Sequence, residues 1–231
     1  MVYKKSDKTE SRKDEKRKLI FETASKVFAE KGYNNTSIKD ITNKAEVSVG
    51  TFYLYFKNKE ELFEELYDHM EQIISNIKNY AMKKETSVAS EKFANVVAAS
   101  IWTYQKYRQL AKILLVEALR INSRFEERYQ ELVMKSCEDM EGILKRLKAI
   151  GIIDVPDVKV SAIVHEGSFN YAISYWLRTD DKTDFKEYCY PLAVSSLQSL
   201  KIEFSKEDIQ RTIKSMFLEL DKVADELIKF S

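Results

Sequence analysis

The chain of 231 residues has nearly balanced charge, with 38 Lys and Arg against 37 Asp and Glu, and its 44% hydrophobic content is enough for a buried core. Only 5 Gly and 2 Pro interrupt it, which favours long helices. The two cysteines are too few for a disulfide framework. The sequence has no apolar run of roughly 18 residues, which a membrane span needs, and no apolar N-terminal segment, which a secretory signal needs. We therefore expect a cytoplasmic protein of one or two domains.

The first 60 residues are basic and begin with a polar segment. They hold 14 Lys and Arg against 9 Asp and Glu, whereas the rest of the chain holds 24 against 28. Residues 1–14 lack apolar periodicity, and we expect a mobile arm that either contacts phosphates or acts as a solubilising tail. Apolar spacing then predicts a helix over residues 15–31, with Gly32 as its C-terminal cap. The apolar face of this helix comprises Ile20, Ala24, Val27 and Phe28.

Residues 36–62 predict two helices that cross steeply at a tight turn, followed by the start of a third helix. Thr36 is placed to cap the first helix and Ser48 the second, because each hydroxyl can accept a hydrogen bond from an N–H one turn on. The turn occupies residues 46–47, and the second helix runs over residues 49–56. Its first residues are small, so its backbone can approach the floor of a DNA groove. The arrangement is typical of a DNA-reading helix-turn-helix.

This stretch resembles the DNA-binding domain of the tetracycline-repressor (TetR) family, over roughly residues 15–65. At Glu46 the family usually has Gly, which adopts a left-handed conformation more readily. The resemblance implies an all-α fold with a three-helix helix-turn-helix DNA-binding domain and its N-terminal arm over residues 1–57. A helical effector-binding and dimerisation domain would follow over residues 58–231. The matching positions are Thr36, Ile38, Ile41, Ala45, Val47, Ser48, Gly50, Tyr53, Tyr55, Phe56, Lys59 and Leu62.

The resemblance also implies that the partner is double-stranded DNA. Family members contact base edges from the positions of Lys39, Val49 and Thr51, and phosphates from the tyrosines and the lysine that follow. Because one short helix reads too few base pairs, we expect a homodimer on a two-fold symmetric operator. The full set of predicted DNA contacts is Lys39, Ser48, Val49, Gly50, Thr51, Tyr53, Tyr55 and Lys59.

Further helices are predicted throughout the second domain. Capping boxes begin two of them, at Asn58 and at Ser123, each with a Glu three residues later. The segment 109–121 is apolar nearly all round, so we expect it to be the most buried helix. Pro191 should kink or restart the helix that contains it. The predicted ranges are 58–83, 87–107, 109–121, 123–149, 157–178, 184–200 and 205–230.

The resemblance assigns roles to the last three of these helices. The helices over 157–178 and 184–200 would form the dimer interface as a four-helix bundle. The final amphipathic helix, 205–230, is an extension that many family members lack. The sequence leaves open whether it covers the effector pocket, the dimer interface or the outside of the bundle.

Neither a catalytic constellation nor a metal site is predicted. The two histidines, His69 and His165, lie far apart and lack partners at ligand spacing, and the sequence contains no glycine-rich phosphate loop. We therefore expect no enzyme activity and no cofactor. For His165, on a mainly apolar helix, a hydrogen-bonded core position and a contact with an effector both remain open.

Two groups of residues are candidates for effector binding. Aromatic side chains of the second domain either line an apolar cavity or belong to the core. Arg120, Arg124 and Arg128 recur every four residues, either as an anion site at a pocket mouth or as salt bridges to glutamates on a solvated face. Those glutamates are Glu117, Glu127 and Glu131. The candidate effector-binding residues are Trp102, Tyr104, Arg120, Arg124, Arg128, His165, Tyr171 and Tyr175.

Three functions remain in competition. The first is a homodimeric repressor released from DNA by a mainly apolar small molecule, and the segment EALRINSRFEERY, which is similar to that of the acyl-CoA-responsive family members, suggests a long-chain acyl-CoA. The second is a DNA-binding protein without an effector. The third is a helical interaction protein whose helix-turn-helix is inactive. A cavity in the second domain would favour the first over the second.

Overall fold

The computed structural model describes residues 7–121, 123–179 and 183–228, and this part of the chain consists of helices without a β-strand. The predicted all-α fold is therefore confirmed. None of the described helices combines the length and the apolar character needed to cross a membrane. The helices are α1 (Asp7–Lys31), α2 (Ile38–Lys44), α3 (Val49–Tyr53), α4 (Lys59–Met82), α5 (Ala89–Lys106), α6 (Arg108–Lys112), α7 (Ser123–Ala149), α8 (Val158–Arg178), α9 (Cys189–Ser199) and α10 (Lys206–Leu227).

Helix α1 is longer than the sequence predicted. It begins at Asp7, so residues 7–14 are helical and not an arm, while residues 1–6 lie outside the described part of the chain. Half of this stretch is Lys, Glu and Arg, which rank close to alanine in helix propensity. The predicted apolar face is buried, and Gly32 ends the helix with a φ of 78°.

The cap of α2 is Ser37 and not Thr36, which corrects the prediction. The Ser37 hydroxyl accepts a hydrogen bond from the Asp40 N–H at 3.1 Å, and the Asp40 carboxylate accepts one from the Ser37 N–H at 2.8 Å. The buried Thr36 hydroxyl donates to the Gly32 carbonyl at 2.8 Å and so satisfies the end of α1 instead. Both hydroxyls suit a cap, and the carboxylate three residues after Ser37 decides between them.

Helix α4 connects the first three helices to the rest of the molecule. As predicted, the Asn58 side chain caps it by accepting from the Glu61 N–H at 2.7 Å. The Glu61 carboxylate accepts from the Lys57 N–H at 2.5 Å and not from the cap residue, so only half of the predicted capping box is present. Because α4 packs against α1 near its start and against α5 and α10 further on, it takes part in both halves of the core.

The segment predicted as one buried helix over 109–121 changes helix type twice. After α6 the backbone widens to a π-helix (Ile113–Glu117) and then tightens to a 3-10 helix (Ala118–Arg120). The prediction of deep burial is confirmed, because the apolar side chains of residues 110–118 are buried. Leu119, which follows them, is only partly buried. π-helical segments are rare and concentrate at functional sites. This one packs against α1, α4 and α8.

Helices α7 and α8 pack along each other. Ser123 is the first residue of α7 and not its cap, which corrects the second predicted capping box. Gly151 ends this hairpin arm as predicted, with a φ of 75° and a hydrogen bond from the Ile152 N–H to the Leu147 carbonyl at 2.9 Å. The Asp157 side chain then caps α8.

Pro191 lies in the first turn of α9. A short 3-10 helix (Phe185–Tyr188) precedes it, and the α-helix begins at Cys189. The chain therefore restarts a helix here, which is one of the two predicted alternatives. In the first turn the missing N–H of proline leaves no hydrogen bond unmade.

The structure settles the position of the final helix, α10. It packs mainly on α5 and also on α4 and α9, so it covers the outer side of these helices. The indole N–H of Trp102 on α5 donates to the Asp221 carboxylate at 2.7 Å. The Asn76 amide on α4 donates to the Leu227 carbonyl at 3.0 Å. Helix α10 therefore fastens α5 and the second half of α4.

Candidate DNA interface and effector region

The turn between α2 and α3 has the geometry of a tight helix-turn-helix. Glu46 adopts a left-handed conformation with a φ of 54°. Its N–H donates to the Asn43 carbonyl at 3.2 Å, and the Val47 N–H donates to the Thr42 carbonyl at 3.0 Å. These two bonds form a Schellman motif, in which glycine is the usual residue. Glutamate thus reaches the same turn at a conformational cost of roughly 1 kcal/mol.

Helix α3 is short and presents one face to solvent. Ser48 caps it by accepting from the Thr51 N–H at 3.0 Å, as predicted. Phe52 is fully buried and anchors the helix, whereas Val49 and Tyr53 are exposed. The helix ends at Tyr53 and not at residue 56, so the last predicted turn is a loop. The exposed face is therefore the one that can enter a groove.

The predicted DNA contacts surround this exposed face, but they differ in freedom. Gly50 and Lys39 are exposed, while Tyr55 is half-buried against the core. The Thr51 hydroxyl lies 2.8 Å from the Ser48 hydroxyl, so contact with a base would add a second partner to it. Nearby lysines are neutralised within the fold: Lys31 by Asp40 at 2.7 Å and Lys44 by Glu30 at 2.6 Å.

Lys59 has an internal role that the sequence did not reveal. Its ammonium donates to the carbonyls of Tyr33 and Thr36, both at 2.8 Å, and lies 4.1 Å from the centre of the Tyr33 ring. Burial lowers the pKa of this ammonium. Two of its three N–H groups are thus used to hold the loop between α1 and α2 against the start of α4. The predicted phosphate contact stays a prediction for the remaining N–H.

The candidate effector-binding aromatics fall into two environments. Trp102 and Tyr104 of α5 are buried, and burial raises the pKa of the Tyr104 hydroxyl. Tyr171 and Tyr175 of α8 are 73% and 50% exposed. The structure therefore does not bring the four together: the first two lie in the core, and the last two lie on an outer face of α8.

His165 lies on the inner side of α8. Its side chain is 7% exposed, and neither ring nitrogen has a hydrogen-bond partner among the described residues. The Glu166 carboxylate is 3.5 Å from Nδ1, beyond a good hydrogen bond, and the ring meets Phe93 edge to face with centres 5.8 Å apart. Of the two alternatives, the fully hydrogen-bonded core histidine is thus wrong for this structure.

The arginines of α7 are paired, but not with the predicted glutamates. Arg124 contacts Glu64 of α4 at 2.5 Å, and Arg128 contacts Asp68 at 2.8 Å and Glu71 at 2.9 Å. The partners of Arg124 and Arg128 are not the predicted Glu117 of the π-helical segment or Glu127 and Glu131 of α7, because α4 lies beside the start of α7 and its carboxylates reach both guanidinium groups. The side chain of Arg120 lies outside the described part of the structure.

Two concave regions stand out in the described structure. A cleft of about 240 Å³ separates the end of α1 from the π-helical segment, and Lys112, Glu117 and Ile121 form its far wall. A shallow groove of about 370 Å³ runs between α9 and α10 beside Phe217 and Leu218. Neither is lined by the candidate aromatics of α5 or by His165. No group of three or more metal-binding side chains occurs among the described residues.

Comparison with known proteins identifies the first part of this arrangement. Residues 20–66, which span most of α1 and continue into α4, match the family described as bacterial regulatory proteins, tetR family. These residues therefore form a domain of the tetR family. The relatives of this chain are transcriptional regulators and not enzymes, and this chain is likewise a transcriptional regulator.

Several relatives of this chain are regulators of fatty acid metabolism. The fatty acid metabolism regulator protein of Bacillus subtilis is 28% identical over 167 residues, which are 71% of this chain and 85% of that protein. The fatty acid degradation regulator FadR from Bacillus halodurans superposes with a TM-score of 0.67 at 22% identity, covering 87% of this chain and all of the other. FadR from Bacillus subtilis, solved in complex with stearoyl-CoA, gives 0.63 at 24% identity, over 78% and 97%.

Sequence reasoning missed the acidic side of the α4–α7 contact. Glu64, Asp68 and Glu71 recur at helical spacing and so share one face of α4. That spacing was visible in the sequence. The helix that this face meets was not, because the two contacting segments are separated by more than 50 positions along the chain.

Proposed function

We propose that this chain is a homodimeric repressor that binds a two-fold symmetric operator and is released from it by a mainly apolar effector. A long-chain acyl-CoA is the first candidate for the effector. The DNA-binding domain would comprise residues 1–57, and the effector-binding and dimerisation domain residues 58–231. The observation that carries the proposal is the exposed face of α3, held in helix-turn-helix geometry by a Schellman turn and a serine cap.

DNA recognition would use the exposed side of α2 and α3. Lys39, Val49 and Thr51 would meet base edges in the major groove, and Tyr53 and Tyr55 would donate to phosphates. Lys59 would act mainly by positioning the loop that precedes α2. Because α3 has only 5 residues, one copy reads few base pairs, and a dimer would double the contacts.

An apolar stripe on α8 supports the dimer. Five large side chains on one side of this helix are between 49% and 73% exposed, which is unusual for a helix that also contributes to the core. Gly167 lies in the middle of the stripe with open space around it, so a second helix can approach closely there. The five side chains are Val160, Ile163, Val164, Tyr171 and Tyr175. A second copy of the stripe would cover them, with α9 as the other helix of the bundle.

The acyl-CoA candidate is supported by two independent observations. The relative from Bacillus subtilis was solved with stearoyl-CoA. In this chain, Arg124 and Arg128 lie one turn apart at the start of α7, where both guanidinium groups are paired with carboxylates of α4. In the proposed complex these arginines would meet the phosphates of coenzyme A. The acyl chain would enter between α5, α7 and α8, where His165 supplies an unpaired polar group inside an apolar region.

Release would follow from a change in the spacing of the two α3 helices. In a dimer they must lie about 34 Å apart to enter successive major grooves. An effector that displaces α4 changes this distance, because α4 carries the helix-turn-helix. The effector can shift the equilibrium only by as much as it prefers the released form over the DNA-bound form.

The test is a release assay on the full-length protein. An operator is first selected from random DNA by its affinity for the protein, and acyl-CoAs of several chain lengths are then titrated into the complex. We expect long chains to dissociate it and free coenzyme A to have little effect. If no chain length releases the DNA, the acyl-CoA candidate is wrong; if no double-stranded sequence is bound selectively, the repressor itself is wrong.

A further inference from the structure

Helix α4 and helix α7 are joined by a ladder of ion pairs. Arg124 pairs with Glu64, and one turn further on Arg128 pairs with both Asp68 and Glu71. The acids follow one another at i, i+4 and i+7 on α4, and the arginines at i and i+4 on α7. Two guanidinium groups thus face three carboxylates along one helix contact.

The inner end of this ladder is partly sheltered from water. The Arg128 and Glu71 side chains are only 28% and 24% exposed, and the guanidinium lies 4.4 Å from the centre of the buried Tyr67 ring. Phe125 packs beside the Tyr67 ring, and its ring centre lies 5.5 Å from that of Tyr67 and 5.1 Å from that of Phe63. Burial raises the pKa of Glu71, and the nearby arginine opposes this. The guanidinium therefore favours the charged form of this carboxylate and opposes the effect of burial.

The first half of α4 is coupled directly to the DNA-binding unit. The centre of the Phe63 ring lies 5.4 Å from that of Phe28 of α1 and 4.9 Å from that of Tyr33 in the following loop. Lys59, at the first position of α4, holds the same loop by two hydrogen bonds. A shift of this half of α4 would therefore carry α2 and α3 with it.

The second half of α4 is fixed by α10. The Asn76 amide binds the Leu227 carbonyl, and both Tyr80 and Lys84 bind the Glu219 carboxylate. Because these contacts begin more than one helical turn beyond Glu71 and are made with α10 and not with α7, a loss of the ladder would leave this half in place. Helix α4 would then pivot near its middle.

We propose that the ladder is a latch that the effector opens: coenzyme A phosphates and the three carboxylates of α4 compete for the guanidinium groups of Arg124 and Arg128. This inference rests on the proposed function and names its regulation. When phosphates take the arginines, three like charges on α4 lose their partners while still close to a polyanion. Their repulsion moves the first half of α4 away from α7, and the DNA-binding unit follows.

Competition makes a prediction that simple phosphate binding does not. If the α4 carboxylates occupy the arginines, removing their charge frees the site, and the effector binds more tightly. At the same time the effector loses its influence on α4, so that its affinities for free and DNA-bound protein become more alike. Removal of the arginines, by contrast, weakens effector binding.

The experiment uses the triple variant Glu64→Gln/Asp68→Asn/Glu71→Gln in the full-length protein, with the acyl-CoA that releases the wild-type complex most efficiently. Its dissociation constant is measured by calorimetry with and without operator. We expect the affinity of the free protein to rise about tenfold and the ratio between free and DNA-bound protein to fall by a similar factor, as allosteric couplings of ordinary size predict.

A matched control separates competition from general charge repulsion. The variant Glu126→Gln/Glu127→Gln/Glu131→Gln removes the same number of charges from exposed positions around the same arginines. It should change the affinity for the acyl-CoA by less than about twofold, because the repulsion between exposed glutamates and the phosphates is largely screened by solvent and salt. Equal effects of both triple variants, or no effect of the first, would overturn the latch while leaving the proposed function intact.

A measurement on the wild-type protein covers the case in which the triple variant does not fold. Hydrogen exchange is followed with and without the acyl-CoA. Amides of α4 from residue 62 to residue 71 should exchange faster in its presence, and those from residue 76 to residue 82 should not change. Uniform protection of the whole helix would overturn the latch. If no acyl-CoA releases the wild-type protein from its operator, the proposed effector and the latch are both overturned.

Discussion

The DNA-binding unit (α1–α3) and the effector region (α5–α8) organise their candidate residues differently. In the DNA-binding unit the candidates are neighbours in sequence, and most lie on one exposed side of a short helix fixed by Ser48 and Phe52. In the effector region the candidates whose side chains are described come from three helices and occupy three environments: a packed core, an ion-pair ladder with α4 and an exposed stripe. A groove-reading surface is thus nearly encoded by local spacing, whereas a ligand site depends on which segments meet.

The dimer is the largest effect by which this contrast can be tested. Val164→Glu would place a carboxylate from each copy in the proposed interface without a cation, and an uncompensated buried charge costs roughly 3–5 kcal/mol. Light scattering at micromolar concentration should then give the mass of a monomer. Val88→Glu before α5 is the control, since Val88 is 46% exposed against 55% for Val164. A variant at Val164 that remains dimeric would contradict the assignment.

Within the DNA-binding unit, two neighbouring residues should fail in different ways. Thr51→Ala is expected to change base preference at one position of each half-site by about 1–3 kcal/mol. Tyr53→Phe removes a phosphate donor and should weaken binding to all sequences by about 1 kcal/mol per subunit. Affinities for a panel of single-base operator variants distinguish the two. A uniform loss for both would mean that Thr51 does not read a base.

A variant of His165 tests whether this residue lowers the stability of the fold while it strengthens effector binding. An unpaired polar group in the interior costs about 1–3 kcal/mol, so His165→Leu should raise the free energy of unfolding by roughly 1–2 kcal/mol in urea titrations. The same variant should bind the effector less tightly. Trp102→Phe, which removes the hydrogen bond to Asp221, should instead be destabilising. If His165→Leu is less stable than wild type, the imidazole has a structural role after all.

Two non-glycine residues of the described structure have a left-handed backbone, and they allow the same strain to be relieved inside and outside the DNA-binding unit. Glu46 and Lys201 have φ angles of 54° and 55° and end α2 and α9, respectively. Replacement of either by Gly should stabilise the protein by about 0.5–1 kcal/mol, measured by thermal unfolding. Only Glu46→Gly should alter DNA affinity, because its turn sets the angle of α3. A loss of stability at either site would show that the native side chain compensates for its backbone.

The smallest effect concerns the charge of Asp40 at the cap of α2. Hydrogen bonds from Lys31 and then from Ser37 hold the pKa of this carboxyl below its ordinary value of 3.8. Because the pKa is lower in the folded state, the charged carboxylate stabilises the fold at pH values above 3.8. This stabilisation is lost as the pH falls below 3.8 towards the pKa of the folded state. An NMR titration should place the midpoint below 3.8, and Lys31→Met should raise it. A midpoint at the ordinary value in the wild type would contradict the hydrogen-bond pattern.

How much the sequence could predict is visible at individual residues. The caps at Ser48 and Asn58 were predicted correctly because a cap depends on atoms within one helical turn. Thr36 was chosen instead of Ser37 because both neighbours carry a hydroxyl, and the distinction required the position of Asp40. The start of α1 was missed because a charged stretch without an apolar face gives no periodicity to detect.

The sequence by itself determined the all-α fold, most helix positions and the family of the DNA-binding domain, since these follow from spacing within short segments. Only the tertiary structure decided that α10 fastens α5 to α4, that Trp102 is core while Tyr171 faces solvent, and that Arg128 pairs with Asp68 and Glu71. The physical reason is that burial and ion pairing depend on distances between atoms of different helices. Periodicity gives each helix an apolar face, but it does not specify the helix that this face will meet.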